Sequence, residues 1–387
     1  MNFVHIYNAD PHKEVSLAVA AQTDEYDIAF PKMRLVNSTA LSGHLYNLND
    51  LPYVDFTKSY WDSNFVNDIT LNGKLYAIVS DISLMTLLGT RGIIFNQSMI
   101  EKNNLVSPYD LVENNQWTLD KFIELASSIS GDLNGDQQYT EVDMYGLLSE
   151  TSNFRFFVIA SGVDIFIQND KDDFFLGFMN EKTVNIINKL HTIYDNTTHT
   201  ISYESLKGTE GATKLNSNWK YGRQLFSQGQ ILFLQNGAST FPSIIEFGMK
   251  DEFGIVPNPK YDLAQTDYYH MPDYDTTVLV IPSTNDDYDR LGILLEDLAF
   301  YSNQLVLPAY YDNVIKTQYA PSPKLGEMLD IIKDNISYHY GLVYDIDVNT
   351  ALNKAAFSEN ISSTFAEYEN IITTKLNGLI QTINKLP

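Results

Sequence analysis

Short apolar runs bounded by turn residues alternate along this chain with stretches of helical apolar period. This alternation restricts the fold more than any other feature. It predicts an α/β architecture with largely parallel sheets. Phe3–Tyr7, Tyr26–Phe30, Tyr76–Val79 and Ile93–Phe95 read as strands, the third after Asn72-Gly73 and the fourth after Gly89 and Gly92. A second cluster follows at Ile231–Leu234, Gly254–Val256 and Val278–Ile281, with Pro257-Asn258-Pro259 as punctuation. Between them lie predicted helices: Val15–Ala21, Leu119–Ser127 behind a Thr118 N-cap, Thr183–Tyr194, and a segment from about Asp289 through Leu298. A stripe of Phe365, Tyr368, Ile372, Leu376, Leu379 and Ile383 predicts one long C-terminal helix with a buried face. There is no internal repeat, no low-complexity segment and no Gly/Ser linker. A chain of 387 residues is long for one domain. Two lobes, joined by strands that cross between them more than once, are therefore expected.

Charge and cysteine narrow the function. The 49 Asp and Glu outnumber the 25 Lys and Arg, a net charge of −24 that repels phosphate backbones and anionic lipid. No nucleic-acid partner is expected. With no Cys, disulfides, thiolate metal sites and Cys nucleophiles are excluded. No apolar run reaches the ~18–20 residues of a membrane span. Glycine-rich phosphate loops, Gly-x-Ser-x-Gly and His-Glu-x-x-His are all missing, and the seven His residues are scattered, none at ligand spacing.

Two features carry chemistry. Asp132, Asn134, Asp136, Gln138 and Asp143 put oxygen side chains along one loop, the pattern by which a backbone wraps Ca²⁺. Gln137 stands where the sharp turn favours Gly, and Asp143 is shorter than the bidentate Glu of such loops. The other reading is an Asx-rich surface loop that bonds its own backbone. No cofactor is required; one structural Ca²⁺ is the alternative. The second feature is aromatic content, with 25 Tyr, 21 Phe and 3 Trp. Tyr and Trp offer flat apolar faces with a polar edge, suited to sugar rings. Tyr60-Trp61-Asp62, Asn218-Trp219-Lys220-Tyr221 and the Tyr268–Asp275 stretch each set an aromatic beside a polar side chain.

An ordered series of blocks resembles the carbohydrate-type extracellular solute-binding proteins of ABC importers. It begins with Asn72-Gly73-Lys74-Leu75-Tyr76-Ala77, Asp81-Ile82-Ser83 and Ile94-Phe95-Asn96, with Gln97 in place of the usual Lys. It continues through Pro108–Val112, Gln116–Phe122, Asp132–Asp136 and Asp143–Gly146. Phe253–Tyr261, Ile281–Ser283, Pro308–Tyr311 and Glu327–Asp330 complete it. The resemblance implies a periplasmic-binding-protein-like fold, two α/β lobes joined by a multi-strand hinge with the ligand cleft between them. It places lobe 1 at 1–84 plus 253–308 and lobe 2 at 85–252 plus 309–387. Crossovers fall near Asp81–Gly89, Glu252–Val256 and Leu305–Tyr311.

The same resemblance implies a non-enzymatic protein, monomeric, that captures a sugar or oligosaccharide and hands it to a permease. Tyr60, Trp61, Asp62 and Asp81 are its expected contacts from lobe 1. Asn153, Phe154, Asn236 and Gly237 are those from lobe 2. Trp219 is either a contact or core. Tyr274 and Asp275 are added for their position in a Tyr-rich loop. Family members carry a signal peptide, a lipid-modified Cys and a first strand and helix ahead of the segment that Phe3–Phe30 resembles. The chain is thus expected to begin at the second strand, trimmed or translated from a late start, leaving an unpaired position in the lobe 1 sheet. An extracellular or cell-envelope location is implied, with a lipid anchor in the full-length protein. Three rivals stand beside this reading: a glycan-active enzyme, a Ca²⁺-dependent adhesion module, and a binding protein for a peptide or polyamine.

Overall fold

The computed structural model describes Val4 and residues 11–168, 174–319 and 322–386. The expected strand at Phe3–Tyr7, Val4 apart, lies outside the described residues, and so does the test of a gap beside it.

Eight strands are present among the described residues: β1 Gly92–Asn96, β2 Ser130–Gly131, β3 Met144–Ser149, β4 Phe166–Gln168, β5 Phe174–Leu176, β6 Thr200–Ser202, β7 Ile231–Asn236 and β8 Phe253–Val256. Six form one sheet in the order β2-β3-β7-β1-β8, with β6 also paired to β3. All five residues of β1 are buried, and so are the first five of β7. Such continuous apolar runs mark strands covered on both faces. The expectation of a largely parallel sheet is corrected. β3 pairs β6 and β7 in parallel, across helical connections, but β1 runs antiparallel to both β7 and β8. The reason is connectivity. β1 brings the chain into this sheet and β8 takes it out, and adjacent entry and exit strands must run in opposite senses.

The second region is built differently. Residues 276–283 run through its middle and take partners on both sides, one or two bonds at a time. Ala29 bridges Val280, Lys32 bridges Thr277, Leu45 bridges Pro282 and Ile78 bridges Leu279. The expected strands Tyr26–Phe30, Tyr76–Val79 and Val278–Ile281 are these bridged segments, none of them a continuous ladder. The entry and exit passages also touch: Thr90 bridges Pro272, and the Asp273 N–H donates to Gly89 O at 3.1 Å.

The helices follow the sequence closely. Thr118 caps Leu119–Ala126 by accepting from the Lys121 N–H, and Asn180 caps Glu181–Tyr194 through the Thr183 N–H. Ile361–Ile383 buries all six residues of its stripe. Leu305–Tyr311, expected as a third crossover, is helical, with the π-type segments Ser302–Val306 and Pro308–Gln318 continuing on from the helix Tyr288–Tyr301. Further on, Ile336 bridges His270 in parallel.

Candidate ligand-binding site

The site grows from a turn and a helix cap. The Trp61 N–H donates to Lys58 O, and Asp62 then caps the helix Ser63–Ile69, its Oδ1 accepting from the Phe65 N–H at 2.9 Å. An antiparallel bridge between Trp61 and Ser80 sets this turn against the segment Val79–Asp81, with Asp62 N–H to Val79 O at 3.0 Å and Asp81 N–H to Tyr60 O at 3.1 Å. Those two bonds bring Tyr60, Asp62 and Asp81 to one place. The facing wall is the end of the helix Pro323–Asp334 and the segment after it. Asn64 Nδ2 donates to Ile336 O at 2.7 Å, the Tyr338 N–H to Asp68 Oδ2 at 2.9 Å, and the Tyr338 hydroxyl to Asp62 Oδ2 at 2.6 Å. Between the walls lies a cavity of about 450 Å³ whose lining includes Tyr60, Trp61, Asp62, Asp81, Lys333 and Asp334.

Burial governs its electrostatics. It raises the Asp62 carboxyl above the usual carboxylate range, against the bonds from the Tyr338 hydroxyl and the Phe65 N–H that favour the ionised form. Asp81 is likewise raised by burial, opposed by the Asn303 amide and the Lys333 charge. Asp68, beside the cavity, is raised for the same reason. The Tyr60 hydroxyl, which donates to Glu296, is pushed up to about 12, by burial and then by that carboxylate.

The structure separates the sequence-predicted residues. Tyr60, Trp61, Asp62 and Asp81 share the cavity. Trp61 is its floor: the indole is 2% exposed, lies edge-on to Phe56, and donates its N–H to Glu296 Oε2 at 3.1 Å. The half-buried Tyr60 is therefore the more accessible aromatic of the wall. The other residues are absent from this lining. Asn153 is buried and accepts from Arg91 at 2.9 Å, in a cluster where the same guanidinium holds Glu150 at 2.6 Å and also Asp273. Phe154 packs among Tyr194, His191 and Phe357. Trp219 lies against Tyr203, ring centres 4.3 Å apart, with 38% of its surface exposed. Asn236 turns its Oδ1 back to the Gly237 N–H. A Cβ on Gly237 would come within 2.3 Å of Leu88 O, so that glycine admits the close approach of the Leu88–Thr90 backbone. Tyr274 is 2% exposed, and Asp275 pairs with Lys32 and Arg34.

Sequence reasoning missed Lys333, Asp334 and Tyr338. The Glu327–Asp330 block lies just upstream, but no local signal marks the residues beyond it. Arg91 was missed as well, although it stands between Gly89 and Gly92.

The Asp132–Asp143 loop is made of Asx turns. Asp132 accepts from the Gly135 and Gln137 N–H groups, Asn134 from Asp136, Asp136 from Gln138, and the buried Asp143 from Leu133 and Thr140. Gln137 takes the left-handed conformation at φ 63° that a glycine was expected to supply. Among the described residues, no group of three or more His, Asp or Glu side chains is placed to hold a metal ion, and Asp132, Asn134, Asp136, Gln138 and Asp143 are no exception.

No helix among the described residues is long and apolar enough to cross a membrane. No curated protein matches the chain. Solved structures do, at low identity. The GacH receptor of Streptomyces glaucescens, described unliganded and with acarbose, is 12% identical, with a TM-score of 0.59 over 100% of this chain and 91% of its own. The substrate-binding protein Lmo0181 of Listeria monocytogenes, solved with cycloalternan, is 14% identical, with a TM-score of 0.60 over 94% of this chain and 88% of its own. The MalE domain of Bdellovibrio bacteriovorus, bound to maltotriose, is 15% identical, with a TM-score of 0.59 over 95% and 88%. The fold is thus periplasmic-binding-protein-like. The family model for bacterial extracellular solute-binding proteins matches residues 7–292, and the chain belongs to that family.

Proposed function

We propose that this chain is the capture component of an ABC importer: it binds a sugar or oligosaccharide without catalysis and delivers it to membrane permease subunits. The observation that carries the reading is the cavity itself. One wall comes from Tyr60–Asp62 and Asp81, the other from Lys333–Tyr338, so an aromatic side chain and several oxygen acceptors converge from distant parts of the sequence. A sugar ring needs both, an apolar plate for its C–H face and hydrogen-bond partners for hydroxyls that lose water. The similar solved proteins hold acarbose, cycloalternan and maltotriose, which agrees with that chemistry.

The mechanism is a population shift. Residues 1–84 with 253–308 act as one lobe and 85–252 with 309–387 as the other, and ligand favours the closed arrangement only by touching both walls. The protein works as a monomer at the cell envelope, lipid-anchored in its full-length form.

The test is a thermal-shift screen of the full chain against neutral mono- and oligosaccharides, then calorimetry on the hits. Tyr60→Ala should weaken the best of them by ~1–3 kcal/mol, as expected for an aromatic contact. Unchanged affinity would remove Tyr60 from the site, and no shift with any saccharide would reject the sugar reading.

A further inference from the structure

Elsewhere two partly buried carboxylates, Asp273 and Glu150, share the Arg91 guanidinium, while the fully buried Asp143 is met by the Leu133 and Thr140 N–H groups. At the cavity no cation is bonded to the carboxylates among the described residues. Asp62 is met by the Phe65 N–H and the Tyr338 hydroxyl, Asp68 by the Tyr338 N–H, and Asp81 by the Asn303 amide at 2.8 Å. All of these donors are neutral. Three carboxylates withdrawn from water without an ion pair are costly, and costly groups persist where something else supplies the opposite charge.

Tyr338 divides the space. On its far side is a second cavity of about 410 Å³, lined by Asp68 and Asp164 and by the aromatics Tyr269 and Tyr340. Tyr340 stacks on Phe166 with ring centres 4.8 Å apart. His339 also lines it, with a buried Nε2 that has no hydrogen-bond partner. Burial pushes the His339 imidazole down to about 4, so it is neutral at pH 7 and adds no cation. Across both cavities the charged lining is Asp62, Asp68, Asp81, Asp164 and Asp334 against Lys333 alone. The chain as a whole has about two acids per base, 49 to 25. The excess at the cavities is therefore local as well as global.

We propose that the captured ligand carries a protonated amine, as an amino sugar or an amine-bearing oligosaccharide does, with Asp62 and Asp81 as its counter-charges and Asp68, across Tyr338, adding to the negative field. This rests on the capture reading above and narrows its substrate class. Tyr faces beside the carboxylates suit an ammonium as well as a ring, through cation–π attraction. The groups facing Asp81 are Asn303, Lys333 and Asp62, and those facing Asp62 and Asp68 are Tyr338 and each other. Lys333 is exposed at the rim, so its charge is better screened by solvent than an ammonium seated against Asp81 would be.

The experiment is calorimetry on the full chain with glucosamine and its deacetylated dimer, their N-acetylated counterparts, maltose, and 1,4-diaminobutane. At pH 7.5 and low salt the free amines should bind at least about tenfold more tightly than the N-acetyl forms, the factor expected of a charge-assisted bond. That gap should shrink as pH falls through the raised range of Asp81 and Asp62, and in Asp81→Asn. Asp289→Asn, an exposed acid that lines neither cavity, should leave it in place. Equal or tighter binding of the N-acetyl forms overturns the amine inference and leaves sugar capture standing. Binding of the diamine with no saccharide overturns sugar capture and keeps the charge argument. No binding of any of these compounds overturns both.

Discussion

The two regions of this molecule use the same kind of residue in opposite ways. In the sheet, β1, β7 and β8 form continuous ladders, and Phe95, Trp117, Phe122 and Phe233 interlock at ring distances of 5.5–6.5 Å. Around residues 276–283 the backbone is joined by single bridges, and side-chain caps and packing supply the rest. A ladder fixes register because a slip of one residue would exchange the side chains of its two buried faces and break the packing on each. A bridged segment has fewer backbone bonds to lose, so it can yield locally without undoing its neighbours. The polar cavity lies against the bridged region.

The largest effect that separates the two is core truncation. Phe233→Ala removes a fully buried ring from the aromatic cluster and should cost about 3–5 kcal/mol in chemical unfolding, near the upper end. Trp61→Ala should fall near the lower end of the same range, because its surroundings can collapse into the gap. Equal losses would mean that the bridged region is as rigid as the sheet. Next comes charge. Asp273→Asn breaks a buried pairing with Arg91, and about 1–3 kcal/mol should be lost.

The cavity acids behave in the opposite sense to Asp273, and pH separates them. Burial holds Asp81 above its unfolded value, so the folded protein binds the extra proton and stability falls as pH rises through that window. Asp81→Asn should therefore flatten the fall above pH 4 and leave the melting temperature at pH 7 equal or higher. Burial also pushes Asp273 up, but the Arg91 charge and hydrogen bond outweigh it and the carboxyl sits below its usual value. Its stabilisation is present above the unfolded value and disappears as pH falls through the folded one. Asp273→Asn should accordingly be less sensitive to acid than the parent chain. The smallest expected difference is in amide exchange. Protons of β1 and β7 should exchange more slowly than those of Ala29, Ile78 and Val280, by mass spectrometry of the native protein. Matching rates would erase the distinction.

Much of the scaffold was legible because its signals are local. Thr118 three residues before an amide that needs a cap, or Phe365 through Ile383 at helical spacing, states its own structure. The bridged segments were legible as strands but not as isolated bridges. What limits their ladders is the company they keep, with Pro31 and Pro282 inside the paired stretches, where neither has an N–H to donate. At the site, Tyr60, Asp62 and Asp81 were found because a family block and a turn fall there. That Trp61 lines the cavity from a buried position was not legible, since exposure of an indole depends on Phe56 and Glu296, which no local pattern ties to it. Asn153 was chosen as a contact, yet its amide answers to Arg91, sixty-two positions away. Lys333 and Tyr338 were invisible for the same reason.

Because β1 arrives and β8 departs side by side, bonded to each other at Ile93–Val256 and Ile94–Ile255, the two passages form one strip of fabric and not two loose threads. Such a strip folds easily across its width and resists being dragged sideways.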